Sequence, residues 1–447
     1  MPEIARALRR RAVSATELAE TALDLLGRIG PRYNAIADLP RERALADARR
    51  ADRRLARGEA PPLAGIPYGA KDLFAARGAP TTWGTPRYRD RVIDEDAAVV
   101  SRLERRGAVL AAKLAMVELA GGGRPSRPGA SLQGSGRNPW DPTRYSGGSS
   151  SGSGIAVALG LVPYALGTET GGSTMSPATF CGVTGLRPTY GTIPRAGAMP
   201  LAWTLDKVGL IARSAADVST VLAAIAERFR PLGAREARSA VRRARIGYAD
   251  DDVSGCEPHL RKAIGRGLDE LRKLAPSWTR AEFRKDLPYS QMLTTVMLAE
   301  AATAHAADLE DTSTMTDAKQ AAELRAGLDI PARDYLQAMR LRTVLREDAR
   351  RVFSEVDLIV SASRPHTAIA LDGPNIRRTG RTTPDRLGFI GNLAGLPGIA
   401  LPCGLAEDGL PVALQLVGPP RSEPLLLAVA EAFQRGTGHH LLRPPDA

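Results

Sequence analysis

Two glycine- and serine-rich segments carry the side chains best suited to chemistry. Residues 145–154 read YSGGSSSGSG and residues 167–174 read GTETGGST. Such clusters are most often flexible loops, but each of these adjoins an apolar run, which indicates an ordered backbone close to the core. Because glycine lets backbone N–H groups converge on an anion, the segments predict an oxyanion hole or a phosphate site.

Neither segment fits a phosphate-binding motif. A P-loop needs a lysine before its last serine or threonine. A dinucleotide fingerprint needs a strand before its first glycine, and residues 138–144 (NPWDPTR) do not have a strand pattern. The remaining interpretation is acyl transfer, in which a serine attacks a carbonyl group.

A serine nucleophile needs a base, and histidine is the usual one. Residues 148–152 (GSSSG) match the G-x-S-x-G elbow with Ser150 as the nucleophile, but the strand that should precede this motif is missing. A histidine triad would require spatial convergence, because no histidine lies near either segment. The five histidines are His259, His305, His366, His439 and His440.

Lysine is scarce in this chain, which makes each lysine informative. Of the 61 basic residues only seven are lysine. Lys71 lies in the apolar run 63–74 (LAGIPYGAKDLF) at a strand-like position, and a buried lysine can lose its proton whereas arginine cannot. Lys71 is therefore a candidate general base. The alternatives are a lysine that is salt-bridged to Asp72 and a second candidate, Lys113, expected on a helical face near Glu118.

These residues resemble the motifs of the amidase signature family of serine hydrolases. The family's G-G-S-S-G-G-S run is similar to residues 147–153, and its G-T-D-T-G-G-S-I-R-x-P-A block is similar to residues 167–178. Residues 65–72 (GIPYGAKD) resemble its G-x-P-x-x-x-K-D block. Further similar blocks are residues 181–191, 205–209, 392–398 and 410–415. The blocks follow the family's order over nearly the whole chain.

The resemblance implies a Ser-Ser-Lys triad. Ser173 would be the nucleophile, Ser149 the bridging serine in a cis peptide, and Lys71 the base. Neutral Lys71 would accept a proton from Ser149, which takes one from Ser173 as that oxygen attacks the carbonyl carbon. Water would then hydrolyse the acyl-enzyme. No metal or organic cofactor is implied.

The resemblance also implies an oxyanion hole of backbone N–H groups and residues that support the bridging serine. The oxyanion-hole residues are Thr170, Gly171, Gly172 and Ser173, and the supporting residues are Ser150, Gly147 and Gly148. The chain departs from the family pattern at Glu169, where the pattern has Asp, and at residues 174–176 (TMS), where it has Ile-Arg. We therefore expect no ion pair between these two positions.

The implied function is an amidase, a hydrolase of C–N bonds other than peptide bonds, with esters and carbamates (urethanes) as further substrates. The alternative is the glutamine-hydrolysing A subunit of a tRNA-dependent amidotransferase. Against it, residues 118–124 (ELAGGGR) lack a Phe-Ala-Met-Gly-Ser-Ser-like stretch, and the arginine after the nucleophile is missing. A catalytically silent binding protein is disfavoured by the intact Lys71, Ser149 and Ser173.

The composition of the chain limits the kinds of partner that it could have. The net charge is +12, but the arginines are scattered through helical patterns and aromatic residues make up only 4%, which favours a solvated surface over a nucleic-acid groove. Three widely spaced cysteines, Cys181, Cys256 and Cys403, indicate neither disulfides nor zinc and fit a cytoplasmic setting. No apolar run is long enough to span a membrane. We expect a small-molecule substrate, no nucleic acid, and a monomer or homodimer.

The elements that position these residues alternate between strands and helices, which predicts one α/β domain over residues 1–447. The resemblance implies a large mixed sheet covered by helices on both faces. We expect a helical layer at 1–60, the signature core at 61–228, a helical elaboration that lines the substrate pocket at 229–385, and a return to the core sheet at 386–447. Substrate specificity is expected in residues 121–137, in residues 199–204 and in the helical elaboration.

Overall fold

The strands form one mixed sheet of eleven strands in the part of the chain that the structure describes. The structure is a computed structural model that describes residues 1–121, 128–248, 254–372 and 386–447. In chain order the strands are β1 (Ile36–Asp38), β2 (Pro67–Lys71), β3 (Val109–Leu114), β4 (Tyr164–Glu169), β5 (Thr184–Arg187), β6 (Lys207–Ala212), β7 (Arg245–Tyr248), β8 (Ser277–Arg280), β9 (Leu358–Ala362), β10 (Gly398–Leu405) and β11 (Pro411–Val417). Across the sheet their order is β1-β3-β2-β4-β6-β5-β10-β11-β9-β7-β8.

Helices cover this sheet. In chain order they are α1 (Pro2–Arg9), α2 (Ala15–Ile29), α3 (Arg41–Ala56), α4 (Ala98–Arg105), α5 (Ser151–Ala158), α6 (Met175–Cys181), α7 (Ala215–Ile225), α8 (Ala234–Arg243), α9 (Pro258–Leu274), α10 (Tyr289–Ala304), α11 (Ala306–Glu310), α12 (Ala318–Arg325), α13 (Ala332–Glu355), α14 (Arg386–Ala394) and α15 (Glu423–Thr437). Within the described residues, none of the helices has the length and apolar character needed to cross a membrane.

The two faces of the sheet pack against different helices. On β4 and β6, Tyr164 and Leu210 belong to one hydrophobic cluster, together with residues of α4 and α7. Their strand neighbours Ala165 and Ile211 belong to another cluster, together with α5 and α6. Since side chains alternate between the faces of a strand, both faces are buried. This confirms the predicted α/β fold with helices on both faces.

The directions of the strands bring Lys71 and the second glycine- and serine-rich segment to the same edge of the sheet. β2 and β4 are parallel neighbours, so the carboxyl ends of both strands, Lys71 and Glu169, lie at the same edge. β6 runs antiparallel to β4 with Lys207 opposite Glu169. The glycine-rich segment that follows β4 therefore begins beside the lysine that ends β2.

The structure confirms some local predictions and corrects others. Ser14 and Glu17 have the types and spacing that predict a capping box, and they form one at the start of α2. Lys113, expected on a helical face, lies instead on the buried strand β3. The expected helical layer at 1–60 also contains the short strand β1, and β8 was not predicted. The subdivision of the chain at residues 60, 228 and 385 stays a prediction.

We expect Gly209→Ala on β6 to destabilise the fold. A Cβ atom there would lie 2.1 Å from Thr174 Oγ1, and overpacking of this kind costs about 1–3 kcal/mol. The free energy of unfolding in urea measures the effect. The matched control is Gly265→Ala in α9, where a Cβ meets nothing within 4 Å and alanine should stabilise the helix by up to about 1 kcal/mol. An unchanged unfolding midpoint in Gly209→Ala would contradict the close packing of β6 against Thr174.

Candidate active site

The Lys71 amine is buried and has two hydroxyl partners. Lys71 is 0% exposed, and its Nζ lies 2.7 Å from Ser149 Oγ and 2.8 Å from Thr168 Oγ1. Burial lowers the pKa of Lys71 to about 7, although the charges of Asp206 and Glu169 act in the opposite direction. An amine with this pKa is largely neutral at slightly alkaline pH and can accept a proton.

Asp72 does not neutralise Lys71, which removes the salt-bridge interpretation of that lysine. Asp72 Oδ1 lies 2.8 Å from Lys113 Nζ, and both side chains are 0% exposed. Lys113 also donates to Thr81 Oγ1 at 2.8 Å. Lys113 is thus a buried cation paired with the carboxylate next to Lys71, and Glu118 is not its partner in this pair.

The first glycine- and serine-rich segment is ordered and continues into a helix. α5 begins at Ser151, inside the segment, and the peptide bond between Gly148 and Ser149 is cis. Gly147 has φ +84°, and a Cβ atom there would lie 2.8 Å from the Pro177 backbone nitrogen. Only glycine permits both this conformation and this close approach, so the segment packs directly against α6.

Ser150 supports the end of β4. It is 0% exposed, and its Oγ accepts from the Thr168 N–H at 3.2 Å. No strand precedes Ser150 in residues 145–149, so the elbow geometry is absent there. No histidine forms a hydrogen bond with Ser149, Ser150 or Ser173 in the described residues.

Ser173 lies beside the first segment and is partly exposed. Its carbonyl oxygen accepts from the Ser150 N–H at 3.2 Å, which joins the two segments. Its Oγ has no hydrogen-bond partner among the described residues, and the backbone N–H groups of Gly171, Gly172 and Ser173 donate to no described acceptor. Three adjacent donors are therefore available to a ligand oxygen at the nucleophile candidate.

Glu169 organises the loop around Ser173. It is 0% exposed, and its Oε2 accepts from the N–H groups of Thr174 at 2.6 Å and Met175 at 3.2 Å. Its cation is Arg187 on β5, with Nη1 3.6 Å from Oε1, rather than a residue of the loop itself. Burial would raise the pKa of Glu169, but Arg187 and the hydrogen bonds hold it below the ordinary value.

Several residues that lie near Ser173 or Lys71 were not predicted as part of the site. A Cβ at Gly171 would lie 3.3 Å from Leu293 of α10, and Arg364 Nη2 donates to the Gly172 carbonyl at 3.3 Å. Thr168 was likewise missed as a Lys71 partner, although it stands in a recognisable motif. Leu293 and Arg364 lie within residues 229–385, the segment expected to line the pocket, but no motif singled out either residue.

The structure describes part of the segments that are expected to determine substrate specificity. Residues 122–127 lie outside the described residues. Residues 199–204 are connected to the loop that contains Ser173 through Asp206, which accepts from the Leu201 N–H at 2.9 Å and from Thr170 Oγ1 at 2.6 Å. The loop is therefore fastened on the side of residues 199–204 as well as at Glu169.

The chain is similar to known proteins in sequence and in fold. The family model described as Amidase matches residues 17–427. The A subunit of the glutamyl-tRNA(Gln) amidotransferase of Azoarcus sp. (strain BH72) is 36% identical over 99% of this chain and 98% of its own. A structure described as a crystal structure of amidase is 32% identical, with TM-score 0.86 over 98% of this chain and 99% of that chain. A structure described as a vestigial protein complex that reveals the origins of an s-triazine catabolic enzyme is 30% identical, with TM-score 0.86 and 98% of both chains covered.

We expect the buried Lys71 to make stability depend on pH. In the unfolded chain lysine keeps its proton up to its ordinary pKa of 10.5, whereas the pKa of the folded Lys71 is about 7. Between these values the unfolded state binds more protons, so stability rises with pH, by about 2 kcal/mol from pH 7 to pH 9. Urea unfolding at both pH values measures this gain.

Lys71→Met removes the titrating group and should lose this part of the pH dependence. The control Lys262→Met, at an exposed position of α9, should keep the wild-type dependence. An identical rise in Lys71→Met and wild type would show that Lys71 does not titrate with a lowered pKa.

Proposed function

The chain belongs to the amidase family, whose members hydrolyse C–N bonds, and we propose that it cleaves a carboxamide through an acyl-enzyme on Ser173. The observation that carries this proposal is the buried Lys71 amine, 2.7 Å from Ser149 Oγ. It lies at the sheet edge where the loop containing Ser173 begins. The arrangement supplies a base, a bridging hydroxyl and an adjacent, partly exposed serine in one place.

The proposed proton relay runs from Ser173 through Ser149 to Lys71. Ser173 Oγ attacks the carbonyl carbon while its proton moves to Ser149 Oγ, and the Ser149 proton moves to the neutral amine of Lys71. Thr168 Oγ1, 2.8 Å from Nζ, holds the amine toward the bridge. When the C–N bond breaks, Ser149 Oγ passes one proton to the leaving nitrogen and takes one back from Lys71, which becomes neutral again. A water molecule then attacks the acyl-enzyme and the relay operates a second time.

The proposed oxyanion hole uses the backbone N–H groups of Thr170, Gly171, Gly172 and Ser173. The last three have no described acceptor, which supports this role, because a preorganised donor must not be engaged elsewhere. Each such donor contributes about 3 kcal/mol to transition-state stabilisation in comparable sites. Ser150, Gly147 and Gly148 would keep the bridging serine in place.

One candidate for the specific activity is that of the A subunit in a tRNA-dependent amidotransferase. Such a protein would hydrolyse glutamine and release ammonia for partner subunits. The curated relatives support it, since two proteins named as the A subunit of glutamyl-tRNA(Gln) amidotransferase are 36% and 35% identical over 99% of this chain. These relatives give this candidate more support than the solved structures give its competitor.

A second candidate is a stand-alone hydrolase of other small amides, with esters and carbamates as further substrates because their carbonyls form the same tetrahedral intermediate. The similarity to a crystal structure of amidase, at 32% identity and TM-score 0.86, supports it. So does the local sequence, since Met175 and Ser176 occupy the loop where the family pattern has an arginine. Buried thiols at Cys181 and Cys403 favour a reducing, cytoplasmic setting for either candidate.

We expect Lys71→Met to abolish acylation of Ser173 and Ser149→Ala to reduce it severely, because each change interrupts the relay. The measurement is the rate of covalent labelling by a small fluorophosphonate, with the labelled residue identified by mass spectrometry. In the wild type this rate should rise with pH through about 7, since the neutral form of Lys71, whose pKa is about 7, accepts the proton.

Ser173→Ala is the control for the site of labelling and should remain unlabelled. The control for general damage is Lys262→Met, which should label at the wild-type rate. Labelling of Lys71→Met at the wild-type rate would eliminate Lys71 as the base, and labelling of another serine would eliminate Ser173 as the nucleophile.

We expect ammonia release from glutamine to distinguish the two candidates. A component of an amidotransferase should hydrolyse glutamine in the presence of its partner proteins and leave aryl amides and carbamates intact. A stand-alone hydrolase should release amine from a graded series of amides, esters and carbamates without any partner. Ser173→Ala must be inactive in both assays. Turnover of aryl amides by the purified chain alone would reject the amidotransferase candidate.

A further inference from the structure

A chain of buried hydrogen bonds runs from β6 to the loop that carries Ser173. Lys207 is 2% exposed, and its Nζ donates to Asn392 Oδ1 at 2.9 Å. The Asn392 amide nitrogen donates to Glu169 Oε1 at 3.0 Å. Glu169 Oε2 then accepts from the N–H groups of Thr174 and Met175. The path joins a lysine of one strand to the two residues that follow Ser173.

The amide of Asn392 can face only one way in this path. Its nitrogen also donates to the Gly388 carbonyl at 3.0 Å, so a flipped amide would place its oxygen against two acceptors. In the observed orientation Asn392 Oδ1 needs a donor, and Lys207 supplies it. Burial lowers the pKa of Lys207 to about 7, and the Arg187 charge also acts to lower it, but the amine keeps an N–H donor in either protonation state.

Glu169 divides the backbone donors of the loop into two groups. It engages the N–H groups of Thr174 and Met175. Those of Gly171, Gly172 and Ser173 have no described acceptor. The position of the Glu169 carboxylate therefore decides which donors point away from the substrate and which remain available to it. That position depends on two contacts to Oε1, the hydrogen bond from Asn392 at 3.0 Å and the Arg187 Nη1 atom at 3.6 Å.

We propose that Lys207 is a positioning residue for Ser173 and that it acts through Asn392 and Glu169. The inference rests on the proposed function, in which Ser173 is the nucleophile. Lys207 touches none of the reacting groups. It fixes the Asn392 amide, which fixes the Glu169 carboxylate, which holds the first turn of α6 behind the nucleophile. Loss of the lysine should therefore slow the chemical step and leave ligand binding nearly unchanged.

The test uses Lys207→Met, which keeps the length and apolar stem of the side chain and removes the donor. Labelling by a small fluorophosphonate is followed over a range of probe concentrations. The maximal labelling rate should fall about 10- to 100-fold, because small displacements of a reacting group have effects of this size, while the half-saturating concentration changes by less than about twofold. A wild-type maximal rate in Lys207→Met overturns the proposal, and so does a change confined to the half-saturating concentration.

The matched control is Gln434→Met, which also removes a buried polar group. Gln434 of α15 is 3% exposed, accepts from the Ala215 N–H and donates to Thr184 Oγ1, both at 2.8 Å. Neither of these bonds reaches the Ser173 loop, so this variant should keep the wild-type maximal rate even if its melting temperature falls. An equal loss of rate in Gln434→Met would show that general loosening slows labelling, and it would overturn the positioning role.

A double variant tests the path itself. If Lys207 acts through Glu169, then Lys207→Met combined with Glu169→Gln should label about as fast as the slower single variant, whereas independent effects would multiply. Multiplied effects overturn the proposal. If Lys207→Met does not fold, Glu169→Gln alone tests the same path, and a wild-type maximal rate in that variant overturns it. The proposed function is tested separately, since labelling of Ser173→Ala would reject Ser173 as the nucleophile whatever Lys207 does.

Discussion

The arrangement of the site depends on the burial of the Lys71 amine. An ammonium group removed from water is costly unless it is paired with charge or loses its proton. Among the described residues the amine has two neutral hydroxyl partners, Ser149 and Thr168, and no carboxylate within salt-bridge distance. These partners come from two distant parts of the chain, the first glycine- and serine-rich segment and the end of β4. Because one buried amine bonds to both hydroxyls, the Ser149 side chain lies next to the end of β4, and β4 leads into the loop that contains Ser173.

The buried carboxylates around Lys71 must also be kept from stabilising its charged form. Asp72 adjoins it in sequence but is held by Lys113 at 2.8 Å. Glu169 ends the neighbouring strand and is paired with Arg187. Each of these two carboxylates has its own cation, so neither forms an ion pair with the amine. The charges of Asp206 and Glu169 still favour the ammonium form, but burial outweighs them and lowers the pKa of Lys71. An unpaired carboxylate in contact with Lys71 would favour the ammonium form further and remove the base at neutral pH.

The sequence predicted the interior of this structure better than its margins. The central strands are buried on both faces and appear in the sequence as continuous apolar runs, and Lys71, Ser149 and Ser173 stand in the motifs next to these runs. The strands that were not predicted, β1 and β8, are the two outermost strands of the sheet. Their residues are partly exposed and form no continuous apolar run in the sequence. The partners of Glu169 were missed for a different reason. Arg187 and Asn392 lie 18 and 223 residues away in the chain, and only folding brings them to Glu169. Their identity as partners depends on where β5 and α14 lie in the folded chain, which no local pattern encodes.

The proposed relay does not identify the substrate, because other side chains near Ser173 come from a different part of the chain. Lys71, Ser149 and Ser173 stand at strand ends and in the glycine-rich segments, all within residues 71–173. The side chains that approach the same loop from outside, Leu293 of α10 and Arg364 after β9, come from a later, mostly helical part of the chain. A substitution at either position would change the surroundings of Ser173, whereas the proposed relay and the ion pairs of Asp72 and Glu169 involve neither side chain. Relatives at about one-third identity to this chain can therefore carry different names. For this chain, the substrate must be established from the residues around Leu293 and Arg364 rather than from the motifs.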